Sequence, residues 1–306
     1  MTKILLTGKN GQLGWELQRS LATFGQVVAT DSKELDLADP DAIRRTIRRI
    51  APDIIINPAA YTAVDKAESD TELAMAVNGF APGVLAEESL RLGALLVHYS
   101  TDYVFDGSKA APYIEADAPN PQSVYGRTKL AGEQAIRASG CKHLILRTSW
   151  VYGVHGGNFV KTILRLAKER NELRIVADQF GAPTWARNLA QATASALSCW
   201  QSKNWDGDLS GLYHLTAAGR TNWHEYAEEI VRLARKCDPA IAAKLLDIRP
   251  IATQEYPVLA KRPANSVLSN GKIHAAFGIV LPEWRDSLAE CVREIYEPTD
   301  MAALRQ

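Results

Sequence analysis

The chain has 306 residues, of which 46% are hydrophobic and 23% charged, the profile of an ordinary globular protein with one large core or two domains. Its 35 basic residues balance 35 acidic ones, which removes any whole-chain electrostatic case for nucleic acid or an anionic membrane as partner. No apolar run approaches the roughly 18 residues of a spanning helix, and the first residues lack the apolar core of a signal peptide. The four cysteines (Cys141, Cys199, Cys237 and Cys291) show no metal-ligand spacing, so free thiols and a cytoplasmic location are expected.

Ile4-Leu5-Leu6-Thr7 is a short apolar run that ends in Gly8-Lys9-Asn10-Gly11-Gln12-Leu13-Gly14; Leu13, Leu17, Leu21 and Phe24 then recur at helical spacing. Strand, glycine turn and helix are the setting of a phosphate-binding loop. Glycines let the backbone approach a pyrophosphate, and the N–H groups at the helix start attract its charge. The spacing is GxxGxxG rather than GxGxxG. A second strand, Val27 to Thr30, ends at Asp31, whose carboxylate can accept hydrogen bonds from the adenosine ribose. Ser32 and Lys33 follow and can instead accommodate a 2′-phosphate, so NADPH and NADH both stay open.

Asp36-Leu37 opens the next loop, Asp39-Pro40 caps a helix through about Ile50, and Asp53 to Ile56 is a third strand. It ends at Asn57-Pro58-Ala59-Ala60-Tyr61-Thr62, where small residues permit close approach of a ligand. A helix from roughly Glu72 to Leu92 leads to a fourth strand, Ala94 to Tyr99, which runs into Ser100-Thr101-Asp102. Tyr125 and Lys129 begin the next helix. A fifth strand, Leu144 to Leu146, ends at Arg147-Thr148-Ser149-Trp150. This alternation predicts the α/β class: a Rossmann-type doubly wound parallel sheet with ligand groups at the carboxyl ends of its strands, and a smaller C-terminal substrate lobe.

Residues 1–150 are expected to form the dinucleotide-binding domain, joined by parts of 181–210. Residues 151–306 are expected to be mainly the substrate lobe, with discontinuous boundaries. Within them the pattern predicts helices over Asn158 to Lys168, Arg187 to Leu197 and Trp223 to Arg235, and strands over Leu173 to Val176 and Leu212 to Leu215. A polar surface loop is expected at Ser202 to Asp208, a loop-rich region around Pro250, Pro257, Pro263 and Pro282, and a last helix over Glu283 to Tyr296.

Tyr125 and Lys129 stand one helical turn apart on one face. A nearby ammonium favours ionisation of the phenol, bringing its pKa down from near 10 towards the range of a general acid. The Thr101 hydroxyl can hold a substrate oxygen against Tyr125. Alone, YxxxK is a weak motif; the convergence of several strand ends carrying suitable groups strengthens it. Trp150 can wall a sugar, with core packing as its ordinary alternative. In Lys261-Arg262-Pro263 a cationic pair can meet a diphosphate, or simply be solvated. The six histidines show neither zinc nor triad spacing. Glu16, expected to be exposed near the loop, is the carboxylate placed to ligate a metal, and one carboxylate does not make a site.

Together the segments Gly8–Gln18, Asn57–Glu68 and Tyr125–Glu133 resemble the extended short-chain dehydrogenase/reductase family, whose pattern joins an N-terminal GxxGxxG to a downstream YxxxK. STDYVFDG (Ser100–Gly107), RTSWVYG (Arg147–Gly153), DQFGAPT (Asp178–Thr184), GLYHL (Gly211–Leu215) and RPANS (Arg262–Ser266) are similar to its reductases of dTDP-linked keto-sugars. The resemblance covers most of the chain. It implies reduction of the 4-keto group of dTDP-4-dehydro-β-L-rhamnose to dTDP-L-rhamnose, the last step of dTDP-rhamnose biosynthesis for cell-surface polysaccharide, with NADPH, or NADH, as hydride donor.

It further implies that Tyr125 is the proton donor, that Lys129 binds the nicotinamide ribose and lowers the phenol pKa, and that Thr101 assists at the substrate oxygen. Cofactor contacts are implied at Gly8, Gly11, Gln12, Leu13, Gly14, Asp31, Asp36, Leu37, Ala60, Tyr61, Thr62 and Tyr99, besides Tyr125 and Lys129. Thr101, Asp102 and Trp150 would touch the substrate, with Arg262 the candidate for its diphosphate. Family members bridge a homodimer through Mg2+ held by glutamates. Glu16 matches one such ligand, but Trp185-Ala186-Arg187 stands where another glutamate would be wanted. Two other readings stay open. One is a different nucleotide-sugar reductase, epimerase or dehydratase of this fold; Tyr103 stands where a dehydratase needs a second carboxylate. The other is a non-catalytic regulatory subunit like that of methionine adenosyltransferase, against which Tyr125, Lys129 and Thr101 count.

Overall fold

The computed structural model describes residues 1–203, 205 and 209–297. Strands β1 (Lys3–Leu6), β2 (Gln26–Ala29), β3 (Ile54–Asn57), β4 (Leu95–Thr101) and β5 (His143–Thr148) join Gly211–His214 in one six-stranded sheet. The order is Gly211–His214, β5, β4, β3, β1, β2, and every neighbouring pair is parallel. Such strands are covered on both faces, which is why β1 and β3 read as unbroken apolar runs. Leu5, Ile55 and Leu96 pack on one face with Ile43, Ile47, Leu85 and Ile136. Ile4, Leu6 and Ile56 pack on the other with Leu13 and Leu17 of helix α1 (Gln12–Ser20) and with Leu189 and Leu197 of helix Ala186–Ser202.

The strand order turns back between β1 and β3, and a crevice therefore opens above their carboxyl ends. The glycine loop follows β1, Ala60 to Thr62 follow β3, and Thr101 ends β4. Helix α2 (Pro40–Ile50) begins as read: the Asp39 carboxylate accepts from the N–H groups of Asp41 and Ala42 at 2.9 and 3.0 Å.

The helix expected over Glu72 to Leu92 is interrupted. It consists of Thr71–Met75, a wide π turn at Ala76–Phe80, and Ala81–Leu92. Pro82 has no N–H to offer the Asn78 carbonyl, so the ladder loosens there. Gly132 fits against that carbonyl so closely that a Cβ would lie 2.3 Å from it. The wide turn carries Asn78 inward, where its side chain accepts from the Tyr61 N–H at 2.8 Å and donates to the Tyr61 carbonyl at 3.0 Å and to the Thr128 hydroxyl at 3.2 Å. The loop after β3 is thereby tied to the helix that carries Tyr125 and Lys129.

Beyond β5 the chain leaves the sheet and returns to it. Helix Ala186–Ser202, longer than expected, packs beside α1, and Gly211–His214 is the sheet's edge strand. The expected polar loop overlaps the end of that helix, and Asn204 and residues 206–208 lie outside the described residues. A second core gathers Tyr152, Val160, Ile163, Leu173, Tyr226, Ile230, Trp284 and Leu288. The region read as loops contains helix Gly271–Phe277 and a strand, Asp247–Ile251, paired in parallel with Glu172–Val176, and a short helix, Pro239–Lys244, precedes it. Pro250 is tolerated because a two-stranded ribbon leaves one side of each strand without a ladder partner. Among the described residues, no helix is long and apolar enough to cross a membrane.

Candidate active site

The glycine loop leaves the start of α1 open to an anion. Gly8 has φ 62°, and a Cβ at Gly14 would lie 2.1 Å from the Gly8 carbonyl oxygen. Gly11 precedes α1 with no side-chain cap, so the first N–H groups of the helix, including those of Gln12 and Leu13, await an outside acceptor. The Gln12 side chain is engaged elsewhere, accepting from Asn158 at 2.9 Å, and Leu13 is buried in the core. Asp31 holds the turn after β2 by accepting from the Lys33 N–H at 2.9 Å, and it also accepts from the Asn10 amide at 3.0 Å. Lys9 lies 3.9 Å from Asp31. Asp36 accepts from the Ala38 N–H at 2.8 Å, and Leu37 is buried. Of the residues after β3, Ala60 and Tyr61 are half-buried and Thr62 is exposed. A cradle with uncapped N–H groups, beside two strand ends of small residues, fits a dinucleotide.

Tyr125 follows the start of helix Val124–Ser139, which Ser123 caps by accepting from the Gly126 N–H at 3.2 Å. Its ring meets that of Tyr103 edge to face, with centroids 5.5 Å apart. Burial pushes the phenol well above its ordinary pKa, and a hydrogen bond with Thr101 only partly offsets it. Lys129 is not among the groups that lower the phenol pKa, so the expected lowering is corrected. Lys129 is 1% exposed; its Nζ donates to the Tyr99 carbonyl at 2.6 Å and lies 3.1 Å from His98 Nε2. Burial lowers its pKa to about 8, with Glu133 opposing. Tyr99 offers the site only its backbone, because its phenol hydrogen-bonds Thr193 at 2.6 Å.

Thr101 ends β4 and donates to Asp102 Oδ1 at 2.9 Å. Asp102 is buried, which pushes its pKa up to about 6, with Ser266 and Thr101 holding it from rising further. Because the folded-state value is the higher one, stability is fully present below the unfolded carboxyl pKa near 4 and is lost as pH rises through about 6. Asp102→Asn is therefore expected to raise folding stability by roughly 1–3 kcal/mol at pH 8 and by almost nothing at pH 3.5, read from urea unfolding at both values.

A cavity of about 920 Å³ opens beside Tyr103 and is lined among others by Phe159, Trp223, Arg165, Arg174 and Arg262. Arg262 is anchored at its rim, donating to Asp65 at 2.8 Å. Trp150, read as the sugar's wall, stacks on Trp223 at 3.6 Å, and Gly181 sits so near its ring that a Cβ would come within 2.5 Å. Trp223 is the indole lining the cavity, braced by Trp150. Tyr103, Trp223 and Asp65 were not singled out in the sequence as ligand-side groups. Only Tyr103, beside Thr101 and Asp102, carried a local signal.

Glu16 is not the exposed carboxylate expected. It is 4% exposed, and Arg187 approaches its two oxygens at 3.3 Å each while holding Glu294 at 2.5 and 2.7 Å. Position 16 flanks the apolar stripe of α1, so its side chain turns towards helix Ala186–Ser202 and needs a cation there. A guanidinium already stands between these carboxylates, and among the described residues no cluster of three metal-ligating side chains exists. A divalent cation does not fit. Dialysis against EDTA is expected to leave the urea midpoint unchanged, whereas Arg187→Ala lowers stability by roughly 1–3 kcal/mol by stranding Glu16.

A parallel sheet with a glycine cradle at its switch point and a Tyr–Lys helix beside a threonine at the next strand end defines a nicotinamide-dinucleotide oxidoreductase of the short-chain type. The chain belongs to the family of dTDP-4-dehydrorhamnose reductases: the family model described as RmlD substrate binding domain matches residues 1–297. It is 53% identical over 294 residues to the dTDP-4-dehydrorhamnose reductase of Burkholderia thailandensis, covering 96% of this chain and 99% of that one. The crystal structure of a dTDP-4-dehydrorhamnose reductase from Clostridium acetobutylicum is similar at TM-score 0.86 and 40% identity, over 95% of this chain and 98% of that one. One from Bacillus anthracis, in complex with NADP, is similar at TM-score 0.85 and 35% identity, over 96% and 100%.

Proposed function

We propose that this chain reduces the 4-keto group of dTDP-4-dehydro-β-L-rhamnose to the alcohol of dTDP-L-rhamnose, with Tyr125 as proton donor. The observation that carries this reading is Tyr125 beside Thr101 and Tyr103, at the end of β4 and next to a cavity large enough for a nucleotide-sugar. NADPH is the cofactor we favour, because the Bacillus anthracis relative was crystallised with NADP and because Lys9 and Lys33 flank Asp31. The bound nicotinamide supplies the hydride to the carbonyl carbon.

The chain's own groups do the rest. The glycine cradle and the start of α1 hold the pyrophosphate, and Lys129 is placed to bind the nicotinamide ribose. Thr101 and the Tyr125 hydroxyl hold the carbonyl oxygen, and Tyr125 gives its proton to that oxygen as negative charge develops there. A phenol kept protonated by burial is suited to this role, since it arrives carrying the proton it must give. Arg262 and the arginines of the cavity meet the diphosphate. Tyr103 offers no carboxylate for elimination, which favours reduction over dehydration. We place the enzyme in the cytoplasm, where its cysteines stay free thiols. The decisive assay mixes enzyme, NADPH and dTDP-4-dehydro-β-L-rhamnose, follows absorbance at 340 nm and identifies the product by mass spectrometry. No turnover with either NADPH or NADH would sink the proposal.

A further inference from the structure

Lys129 is the end of a buried hydrogen-bond chain that the reduction itself does not require. From Lys129 Nζ the chain passes at 3.1 Å to His98 Nε2 on β4, and from His98 Nδ1 at 3.1 Å to the Asn57 side-chain nitrogen on β3. The Asn57 side-chain oxygen then accepts from the Thr7 hydroxyl at 2.6 Å, at the end of β1 and immediately before Gly8 of the cradle. All four residues are 0–1% exposed, so solvent does not complete their bonding.

The lengths fix the direction of the chain. A separation of 2.6 Å suits a hydroxyl donating to an oxygen and is short for an amide N–H, whereas 3.1 Å between nitrogens suits an N–H donor. The Asn57 oxygen therefore faces Thr7 and its NH2 faces His98. His98 Nδ1 must then offer a lone pair. Burial holds His98 far below its ordinary pKa, so the ring is neutral. A neutral ring with a bare Nδ1 carries its hydrogen on Nε2, pointing at Lys129. An ammonium has no lone pair to receive it; an amine has one. As an amine, Nζ still has a hydrogen for the Tyr99 carbonyl.

We propose that Thr7, Asn57 and His98 form a one-way donor chain that favours Lys129 as the amine, a hydrogen-bond acceptor, with His98 the positioning residue that governs when the lysine takes up its proton. Of the other groups around Lys129, Glu133 acts in the opposite direction, favouring the ammonium. On its own helix Tyr125 is neutral, and Glu133 is taken up by Arg147 of β5 and Ser100 of β4. From β4, Tyr99 presents only a carbonyl, and Thr101 and Asp102 bond to each other. When Lys129 gains a proton, the chain must reverse. The ammonium donates to Nε2, the ring's one hydrogen moves to Nδ1, and the Asn57 amide turns its oxygen to meet it. The protein gains one proton in total. Because the amide is held by Thr7, next to Gly8, the lysine's charge is coupled to the end of β1 that carries the phosphate cradle.

The inference takes Lys129 from the proposed reaction, but its test does not depend on turnover or on the sugar. Nitrogen-15 NMR of the cofactor-free enzyme, labelled at histidine and kept at about pH 9.5, where a lysine of pKa about 8 is the amine, reads the tautomer directly; the His98 signals are those missing from His98→Gln. Protonated Nε2 with bare Nδ1 is expected. A proton on Nδ1, or an imidazolium, overturns the proposal whether or not the enzyme reduces any keto-sugar. Thr7→Val removes the donor that orients Asn57. His98 is then expected to shift towards the Nδ1–H tautomer, and the Lys129 titration sensed at its ring to move up by roughly one pH unit. An unchanged tautomer and titration in folded Thr7→Val would reduce the chain to packing and sink the idea. Should that variant fail to fold, the native tautomer decides.

Discussion

Tyr125→Phe is expected to lower kcat by about 10²–10⁴-fold, the range that a positioned general acid contributes. The substitution deletes one oxygen and keeps the ring, so the edge-to-face contact with Tyr103 at 5.5 Å survives and the helix start capped by Ser123 is untouched. NADPH affinity, measured by fluorescence titration, should change by less than about threefold, because the cradle at Gly8 to Gly14 and Lys129 remain in place. Loss of turnover with retained cofactor binding distinguishes a proton donor from a residue that merely shapes the cofactor site. A regulatory protein that kept the nucleotide fold would lose nothing it uses. Turnover within tenfold of the native enzyme would move the proton-donor role to another group. Asp102, whose pKa of about 6 lets it carry a proton in mildly acidic solution, would be the first to examine.

What could be read from the sequence was what depends on neighbours along the chain. β1, the glycine loop and the stripe of Leu13 and Leu17 are local patterns, and the strand, turn and helix stand where they were read. The helix cap at Asp39 and the helix start before Tyr125 are local in the same sense. The readings that needed correction depend on partners far away in sequence. Glu16 looked exposed because its cation, Arg187, is 171 residues distant. Trp150 was read without the ring that braces it, because that ring belongs to helix Trp223–Cys237, far along the chain. The Tyr125–Lys129 spacing is right for one helix face, yet the lysine bonds to β4 instead, and no pattern within a helix reveals where a long side chain finds its acceptor. His98 did leave a trace, as the imidazole in the otherwise largely apolar run Leu95-Leu96-Val97-His98-Tyr99. A polar group in the middle of a fully buried strand must have a partner.

Glu133→Gln is expected to cost about 3–5 kcal/mol of folding stability, because it leaves the Arg147 guanidinium charged and unmatched in the interior. Both side chains are 2% exposed. Arg147 donates to the two Glu133 oxygens at 2.8 and 2.6 Å, and Ser100 adds a third hydrogen bond. A glutamine keeps one acceptor but turns an NH2 towards a donor, so a bidentate bond becomes a single bond and a clash. The paired replacement Glu133→Leu with Arg147→Met removes both charges together and should fall within about 1–2 kcal/mol of the native protein, since a buried ion pair roughly cancels its own desolvation cost. Guanidinium chloride unfolding of the single and double variants measures the difference. A single variant no worse than the double would mean that water or rearrangement satisfies Arg147. The same pair bears on the chemistry. Glu133 lies one turn beyond Lys129 and is the charge that opposes the fall in the lysine's pKa. In the single variant the lysine should therefore lose its proton at a lower pH than in the native enzyme, and the basic limb of kcat/KM should move down the pH scale even at temperatures where the variant is fully folded. A stability loss with an unmoved pH profile would confine Glu133 to holding β4, β5 and the Tyr125 helix together; movement of both assigns it the second task of setting the charge beside the proton donor.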